Sequence, residues 1–426
     1  MVFKLMKFQD GIDEPPYDYY FLLNLDEKEY PKYLAKVFYL NTGEKLPLSN
    51  GVIDKKRCKT FNQKMQWLKL YGVTDFMRYC TDKVKVRDYV KEKIGEEYLK
   101  PVLQIIPEKT MGITNKRGVA LNSFQGSDLN DNHKMLKHAC INDKTGNENI
   151  NHTAVQHDSQ LGALKPKIAG ACHSENLENQ NNNSVDFQVV QNLKKESTDE
   201  KTLKRVQCDT TLDALQPDFI NKNDVSGYFD RIDFDKLPNN FVIKCNHGSK
   251  WQFIIKDKEE FLQNKHLFNL IKRKITGWLE QDYAFWCGFE LNYRNIKPKI
   301  LIEPLMRDEI NTPCEEIQIY CFNGEPLLIF KLFQCNKQTA YNNKFEIADD
   351  LFESAEETIL LPADDNIKQA FNLSKKLGSN FNFVRVDWMI HQNKLYFEEL
   401  TFTPYSGFFK FGNRKNNIKL GQYLNI

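Results

Sequence analysis

The sequence predicts an α+β fold in which antiparallel strands dominate. Three stretches carry this prediction, because each holds two runs of β-formers joined by a short turn: residues 239–255 (NNFVIKCNHGSKWQFII), 315–333 (EEIQIYCFNGEPLLIFKLF) and 381–402 (FNFVRVDWMIHQNKLYFEELTF). Asn323-Gly324 is a strong turn signal in the second stretch, and residues 391–394 turn the third. Helical stretches separate these hairpins, which favours two-layer packing over a doubly wound parallel sheet.

The other elements follow in chain order. Residues 17–25 (YDYYFLLNL) are a candidate strand within an irregular, aromatic start. Residues 56–106 are predicted to be helical, because TFNQKMQWLKLYG and DKVKVRDYVKEKIGEEYL place apolar residues near helical spacing. Residues 257–279 and 364–378 are further predicted helices, residues 298–306 (PKILIEPLM) are a predicted strand, and residues 336–365 are predicted to be a loop.

Residues 107–226 differ in composition from the rest of the chain. Runs such as GNENINH and ENLENQNNNSVD contain too few large apolar residues to offset the chain entropy lost on ordering. We expect a mostly disordered polar insertion. Five of the eight histidines and three of the ten cysteines lie in it, which leaves metal binding open, although their spacing matches no regular site.

Composition limits the classes of function. The chain has 426 residues, 41% of them hydrophobic, a net charge of +2 and a pI near 7.9, so it can build a full core and has no charge excess for an extended nucleic-acid surface. No apolar run approaches the roughly 18 to 20 residues of a spanning helix, and the first twenty residues do not form a secretory signal. The cysteines form no C-x-x-C pair, which suits reduced thiols. We expect a cytoplasmic protein.

The last predicted hairpin carries two carboxylates that could share a cation. Strand alternation places Arg385 and Asp387 on one face, and the returning strand brings Glu399 close to them. Paired carboxylates of this kind bind hard cations, of which Mg²⁺ is the natural candidate. The alternative is a solvated polar face with an Arg-Asp pair.

Lys244 lies within an apolar strand and is followed at once by Asn-His-Gly-Ser. A buried lysine requires a partner, because an ammonium loses several kcal/mol of hydration. A loop after such a strand offers backbone N–H groups to phosphate oxygens, although the chain has neither a Walker A sequence nor a G-x-G-x-x-G sequence. The alternative is an ordinary hairpin whose lysine reaches solvent.

The order of these features is that of ATP-grasp proteins: a lysine strand and glycine loop, a helix, ILIEPLM, a hairpin, then paired Asp and Glu strands. The chain resembles the TupA-like ATP-grasp family in TFNQKMQWLKLY, DKVKVRDYVKEKIGEEYL, FDRIDFDKLPNNFVIKCNHGS, YCFNGEP and FVRVDWMIHQNKLYFEELTFTPYSG. The resemblance covers residues 56–106 and 222–410. It skips the polar insertion (107–226) that the composition indicates. Together, the resemblance and the composition divide the chain into an N-terminal region (1–106), this insertion, and two ATP-grasp subdomains (227–305 and 306–426).

The resemblance also implies roles for particular residues. Lys244 would contact the ATP phosphates, Glu303 would lie where adenine and ribose are held, and Arg385 would meet a phosphate or acyl phosphate. The nucleotide-covering loop would be Asn246, His247, Gly248 and Ser249. The Mg²⁺ ligands would be Asp387, Glu399 and Thr401. Lys83 and Arg87 would reach the nucleotide or the acceptor.

The implied activity is that of an ATP- and Mg²⁺-dependent carboxylate–amine ligase acting through an acyl phosphate in the synthesis of cell-surface polysaccharide or glycopeptide. Its partners would be a nucleotide and a carboxylate, amine or saccharide acceptor, with peripheral association with the polysaccharide assembly machinery. Four residues depart from the family pattern: Lys250, Lys299, Gln318 and Glu398. Gln318 and Lys250 leave open a nucleotide-binding protein without turnover. The association of the family with polysaccharide genes leaves open a glycosyltransferase of polysaccharide synthesis.

Overall fold

The structure, a computed structural model, describes residues 19–107, 225, 227–286, 288–307, 313–333, 337–348, 357–358 and 360–426. The predicted polar insertion, residues 107–226, lies outside the described residues except at positions 107 and 225.

Helices occur at both ends of the chain and between the sheets. They are α1 (Tyr19–Leu23), α2 (Tyr30–Thr42), α3 (Phe61–Tyr71), α4 (Asp75–Thr81), α5 (Val86–Ile94), α6 (Lys258–Gln263), α7 (Lys265–Leu279), α8 (Asp365–Gly378) and α9 (Arg414–Tyr423). The helical prediction for residues 56–106 is confirmed by α3, α4 and α5, but it is wrong at Gln104–Ile106, which pairs as a strand with residues 300–302. The helix predicted over 257–279 is divided at Asn264, whose side chain caps α7 by accepting from Leu267 N at 3.0 Å.

The strand suggested for residues 17–25 is wrong over residues 19–25, and residues 17 and 18 lie outside the described residues. Tyr19–Leu23 is helical, with Tyr19 and Leu22 buried while Tyr20 and Phe21 are exposed. Burial at positions i and i+3 follows a helical period and not the alternation of a strand.

A four-stranded antiparallel sheet contains the lysine strand. Its order is β3-β6-β4-β5, formed by β3 (Gln104–Ile106), β4 (Phe241–Cys245), β5 (Gln252–Ile255) and β6 (Ile300–Pro304). The predicted hairpin of residues 239–255 and the predicted strand at 298–306 are confirmed. A separate pair, β1 (Leu48–Ser49) and β2 (Val52–Ile53), forms a small hairpin near the N-terminus.

A six-stranded sheet contains the carboxylate hairpin. Its order is β10-β9-β8-β7-β11-β12, formed by β7 (Glu315–Phe322), β8 (Glu325–Phe333), β9 (Lys337–Asn342), β10 (Glu357–Thr358), β11 (Phe383–His391) and β12 (Lys394–Thr401). Both predicted hairpins are confirmed with their turns. The loop predicted over 336–365 is wrong in part, because β9 pairs with β8 along Lys337–Asn342 and β10 pairs with β9.

Helix α8 covers one face of the six-stranded sheet. Its residues Ile367, Leu373 and Leu377 are buried, and Ser374 Oγ accepts from Trp388 Nε1 at 2.8 Å. Because Trp388 points toward α8, its neighbour Asp387 points to the opposite face. The packing of α8 therefore fixes which face of the hairpin carries the polar residues.

Candidate functional site

The polar face of the β11–β12 hairpin holds a connected group of four side chains. Asp387 pairs directly with Glu399. Arg385 donates to Asp387 through two bonds, from Nε to Oδ1 at 2.7 Å and from Nη2 to Oδ2 at 2.6 Å. Thr401 Oγ1 lies 2.9 Å from Glu399 Oε1 and 3.1 Å from Asp387 Oδ2. The cross-strand arrangement predicted from the sequence is therefore present.

The two carboxylates differ in their electrostatics. Burial raises the pKa of Asp387 to about 6, and the Arg385 contacts oppose this shift. Burial also acts to raise the pKa of Glu399, but the positive charges of Lys83 and Arg385 outweigh it and leave that pKa below its usual value. Glu399 is thus held as an anion within a cationic surrounding.

Asp387, Glu399 and Thr401 offer an incomplete set of oxygen ligands for a cation. Within the described ranges, no group of three or more His, Cys, Asp and Glu side chains is arranged to hold a metal ion. Mg²⁺ is commonly held by one or two carboxylates together with the oxygens of a bound phosphate. The donor set therefore fits a cation that arrives with a phosphorylated ligand.

Lys244 has protein partners. Its Nζ lies 2.8 Å from Oε2 of Glu303 and 3.9 Å from Oε2 of Glu398. Lys100 Nζ lies 2.6 Å from the same oxygen of Glu398 and 3.3 Å from that of Glu303. We call Lys100, Lys244, Glu303 and Glu398 the lysine–glutamate cluster. Despite burial, its two lysines hold the pKa of Glu303 at about 2, so Glu303 is ionised.

Lys100 and Glu398 were not among the predicted site residues. Lys100 follows the helical N-terminal region, and Arg87 fixes it by donating from Nη2 to its carbonyl oxygen at 2.7 Å. Nothing in the local sequence around Lys100 shows that this lysine is buried. For Glu398 a signal exists, because two successive glutamates interrupt the alternation of the strand.

The side chains of Asn246 and His247 are buried beneath the turn that follows β4. Asn246 donates through Nδ2 to Asp82 Oδ1 at 2.9 Å and to Lys297 O at 3.0 Å. The His247 ring lies 3.1 Å through Nε2 from Trp278 O, and burial lowers its pKa to about 4. In this conformation both side chains hold the turn in place, and their part in nucleotide binding stays a prediction.

Gly248 is enclosed by Trp251. A Cβ at position 248 would lie 2.3 Å from the indole ring, so only glycine fits without movement. Ser249 is half-buried at the tip of the turn.

Lys83 connects the turn to the carboxylate hairpin. Its Nζ donates to Gly248 O at 2.7 Å and lies 3.7 Å from Glu399 Oε2. The backbone N–H of Lys83 donates to Asn246 O at 3.1 Å. The structure therefore brings Lys83, Gly248 and Glu399 together, although they come from three distant parts of the sequence.

A cleft of about 110 Å³ adjoins the lysine–glutamate cluster. Its walls include the cluster itself, the apolar residues Val242, Ile254, Leu305, Met306 and Met389, and the carboxyl group of Glu316. Burial and the nearby charge of Glu398 raise the pKa of Glu316 to about 7. The cleft therefore combines apolar walls with charged groups.

The other departures from the family pattern lie at different places. Gln318 lies opposite Asp387 in the β7–β11 pairing, so an uncharged amide lies beside the carboxylates. Lys250 is exposed with φ of 61°. Lys299 contributes its backbone N–H to Asn246 Oδ1 at 2.6 Å.

The family comparison agrees with this geometry. The family model described as TupA-like ATPgrasp matches residues 188–425, more than half of the 426 residues. The chain belongs to the TupA-like ATP-grasp family. The predicted family and ATP-grasp fold are thereby confirmed. The four-stranded and six-stranded sheets lie within the matched range, except for β3. The match does not extend to residues 56–106, where the resemblance stays a prediction.

Solved structures show more distant likenesses. D-alanine–D-alanine ligase from Bacillus anthracis complexed with ATP is 20% identical, with 39% of this chain and 40% of that chain covered and a TM-score of 0.21. The corresponding ligase from Helicobacter pylori is 16% identical, with 48% and 54% covered and a TM-score of 0.26. The ATP-grasp ligase PsnB, complexed with a phosphomimetic precursor variant, Mg and ADP, is 9% identical, with 43% and 45% covered and a TM-score of 0.23.

This chain thus spans about half or less of each of those proteins. Likenesses at this level show nothing about activity, so the family assignment rests on the family model alone. None of the curated proteins compared matches the chain. Among the helices of the described residues, none has the length and apolar character to span a bilayer.

Proposed function

We propose that the protein is an ATP-dependent ligase that joins a carboxylate to an amine. One observation carries the proposal: two buried lysines and a pair of cross-strand carboxylates meet at one site. The 2.6 Å contact between Lys100 and Glu398, the residue before Glu399 on β12, links the lysines to the carboxylate hairpin. The charge of Lys244 also helps to lower the pKa of Glu399. Such an arrangement can hold a polyphosphate between fixed cations and a divalent cation.

Each side chain has a role in this proposal. Lys100 and Lys244 bind phosphate oxygens, and Glu303 keeps both ammonium groups oriented. Asp387, Glu399 and Thr401 hold Mg²⁺, which supplies neutralisation of phosphate charge when bound. Arg385, fixed by its two bonds to Asp387, stabilises negative charge on the transferred phosphoryl group. The base and ribose would lie along the apolar wall of the cleft, which Val242, Ile254 and Met306 form.

The chemistry then follows in two steps. A carboxylate oxygen of the acceptor attacks the γ-phosphorus, and the bond between that phosphorus and the oxygen that bridges it to the β-phosphate breaks. ADP departs, and the acceptor becomes an acyl phosphate. The amine nitrogen next attacks the acyl carbon, phosphate leaves, and the amine loses a proton. The protein contributes position and fixed positive charge in both steps.

We further propose that this reaction serves the synthesis of cell-surface polysaccharide or glycopeptide in the cytoplasm, with a saccharide-bearing acceptor and peripheral contact with the assembly machinery. The support for this assignment is the resemblance to the TupA-like family, which takes its name from teichuronopeptide synthesis. The described cysteines are free thiols, as suits a reducing compartment.

Calorimetry and thermal unfolding with ATP and Mg²⁺ test the nucleotide site. The variants are Lys244→Ala and Glu399→Gln, and the control is Lys375→Ala, which removes a half-exposed lysine of α8 whose Nζ lies 2.8 Å from Glu325 Oε2. At a ligand concentration near 100 times the dissociation constant we expect about 2.7 kcal/mol of stabilisation. It should persist in Lys375→Ala and be lost in the two site variants.

Product analysis tests the reaction. Release of ADP and phosphate that depends on an acceptor supports the ligase. ATP binding without such release would favour nucleotide binding without turnover, for which the uncharged Gln318 opposite Asp387 is the relevant observation. If the wild-type protein does not bind ATP but binds a sugar nucleotide, the ligase proposal is refuted in favour of a glycosyltransferase.

A further inference from the structure

Glu398 faces the site because of an irregularity in β12. Asp387 pairs with Glu399 and Trp388 pairs with Phe397, so the register shifts and Glu398 has no partner of its own on β11. An extra residue of this kind is a β-bulge, which redirects side chains locally. Phe397 and Leu400 are buried, whereas the consecutive residues Glu398 and Glu399 both reach the polar side.

The bulge gives Glu398 a specific pair of neighbours. Its Oε2 atom lies 2.6 Å from Lys100 Nζ and 3.9 Å from Lys244 Nζ. A charge-assisted bond of 2.6 Å is strong. Glu398 therefore occupies the space next to both ammonium groups that a phosphate oxygen would need.

The charges of the cluster balance. Two lysines face two glutamates, and both glutamates contact both lysines. Without Glu398 the cluster would carry one net positive charge, and its two ammonium groups would have no anion on the side where Glu398 lies. With Glu398 it is neutral and its cations are already paired.

Glu398 is also the member of the cluster most able to move. Its side chain is 26% exposed, compared with 6% for Glu303, 7% for Lys100 and 11% for Lys244. Glu303 lies within the central strand β6 and is enclosed, so an arriving anion would displace Glu398 and leave Glu303 in place.

We propose that Glu398 is an internal anion that occupies the phosphate position between Lys100 and Lys244 in the nucleotide-free protein, and that the nucleotide must displace it to bind. Glu398 thereby sets the affinity for phosphorylated ligands. The inference rests on the proposed nucleotide site and adds to it a residue that opposes binding.

Calorimetric titration of Glu398→Gln with ATP in the absence of Mg²⁺, and with inorganic pyrophosphate, tests the proposal. Glutamine has nearly the same shape and removes the charge. The control is Glu325→Gln, which makes the same change of net charge at an exposed site paired with Lys375. We expect the dissociation constants of Glu398→Gln to fall at least about tenfold, as for other close charge pairs, and those of Glu325→Gln to stay unchanged.

A second pair of variants ties the effect to Lys100. Because Lys100 makes the shorter contact with Glu398, the gain from Glu398→Gln should be clearly smaller when Lys100→Met is present in both proteins. Urea unfolding of every variant shows that the folded state is retained. A merely structural role for Glu398 would change unfolding but would not produce tighter anion binding that depends on Lys100.

The outcomes separate this inference from the proposed function. Unchanged or weaker binding of ATP and pyrophosphate by Glu398→Gln overturns the inference, and so does a loss confined to Mg²⁺-ATP, which would make Glu398 a cation ligand. If ATP binds to neither protein, with or without Mg²⁺, while pyrophosphate still binds more tightly to Glu398→Gln, the nucleotide proposal fails and the internal anion stands. If neither ligand binds, both fail.

Discussion

Lys244 and Glu303 form an ion pair diagonally across neighbouring strands, with Nζ and Oε2 2.8 Å apart. Lys244 pairs with Leu301 in the β4–β6 register, and Glu303 pairs with Val242, so both side chains lie on one face within diagonal reach. The partner of the lysine within this apolar strand is therefore another side chain of the protein, Glu303.

Breaking this pair should destabilise the protein. We expect Lys244→Met to lower the free energy of unfolding by about 3 kcal/mol, because Glu303 would keep a buried charge with only Lys100 beside it. The double variant Lys244→Met, Glu303→Met should lose less than the single one, since no carboxylate is then left short of a partner. Urea unfolding without nucleotide measures both. Losses that simply add would show that the two groups are not coupled.

Much of this site follows from the sequence because it depends on strand alternation. The positions of Arg385, Asp387, Glu399 and Thr401 follow from two strands and one turn, and the pairing of Asp387 with Glu399 is observed. Local pattern was sufficient there because the side-chain period of a strand is two and the turn fixes the register.

The rest depends on tertiary contacts that local pattern does not encode. Lys100 joins the cluster only because Arg87 holds its carbonyl and the two sheets lie together. The bulge at Glu398 breaks the alternation on which the prediction rested. The aromatic and apolar residues of 17–25 favour a strand, but Tyr19–Leu23 is a helix with Tyr19 and Leu22 buried, an example of packing that overrides propensity.

Gly248 should tolerate no side chain. We expect Gly248→Ala to destabilise the protein by about 1 to 3 kcal/mol, because the new Cβ would meet the Trp251 indole at 2.3 Å. The matched control is Gly277→Ala in α7, where a Cβ would meet nothing within 4 Å. That change should stabilise the protein by up to about 1 kcal/mol, since alanine favours helix. Similar effects at the two positions would contradict the packing argument.

Lys250 should carry backbone strain. Its φ of 61° lies in the left-handed region, where residues other than glycine lose roughly 1 to 2 kcal/mol. We expect Lys250→Gly to raise the free energy of unfolding by up to about 1 kcal/mol after the entropy of glycine in the unfolded chain is taken into account. Lys250→Ala removes the same side chain and keeps the strain, so it should show no gain. Equal gains in both variants would show that the stabilisation comes from the loss of the lysine side chain and not from relief of backbone strain.

His247 should make stability depend on pH. Burial lowers its pKa in the folded protein from 6.5 to about 4. Below about pH 6.5 the unfolded chain takes up a proton at this ring, whereas the folded protein does not until about pH 4. Unfolding therefore binds a proton in this window, and the contribution of neutral His247 is complete above pH 6.5 and is lost as the pH falls.

The comparison of wild type with His247→Gln isolates this effect, because glutamine can hydrogen-bond but does not titrate. Carboxyl groups with raised pKa values, such as Asp282 and Glu316, act in the opposite direction but are common to both proteins. Urea unfolding between pH 7.5 and pH 5 should show the wild type losing about 2 kcal/mol relative to the variant, at up to about 1.4 kcal/mol per pH unit. A difference that is constant across this range would mean that His247 is protonated equally in both states, and that the bond between its ring and Trp278 O does not require the neutral form.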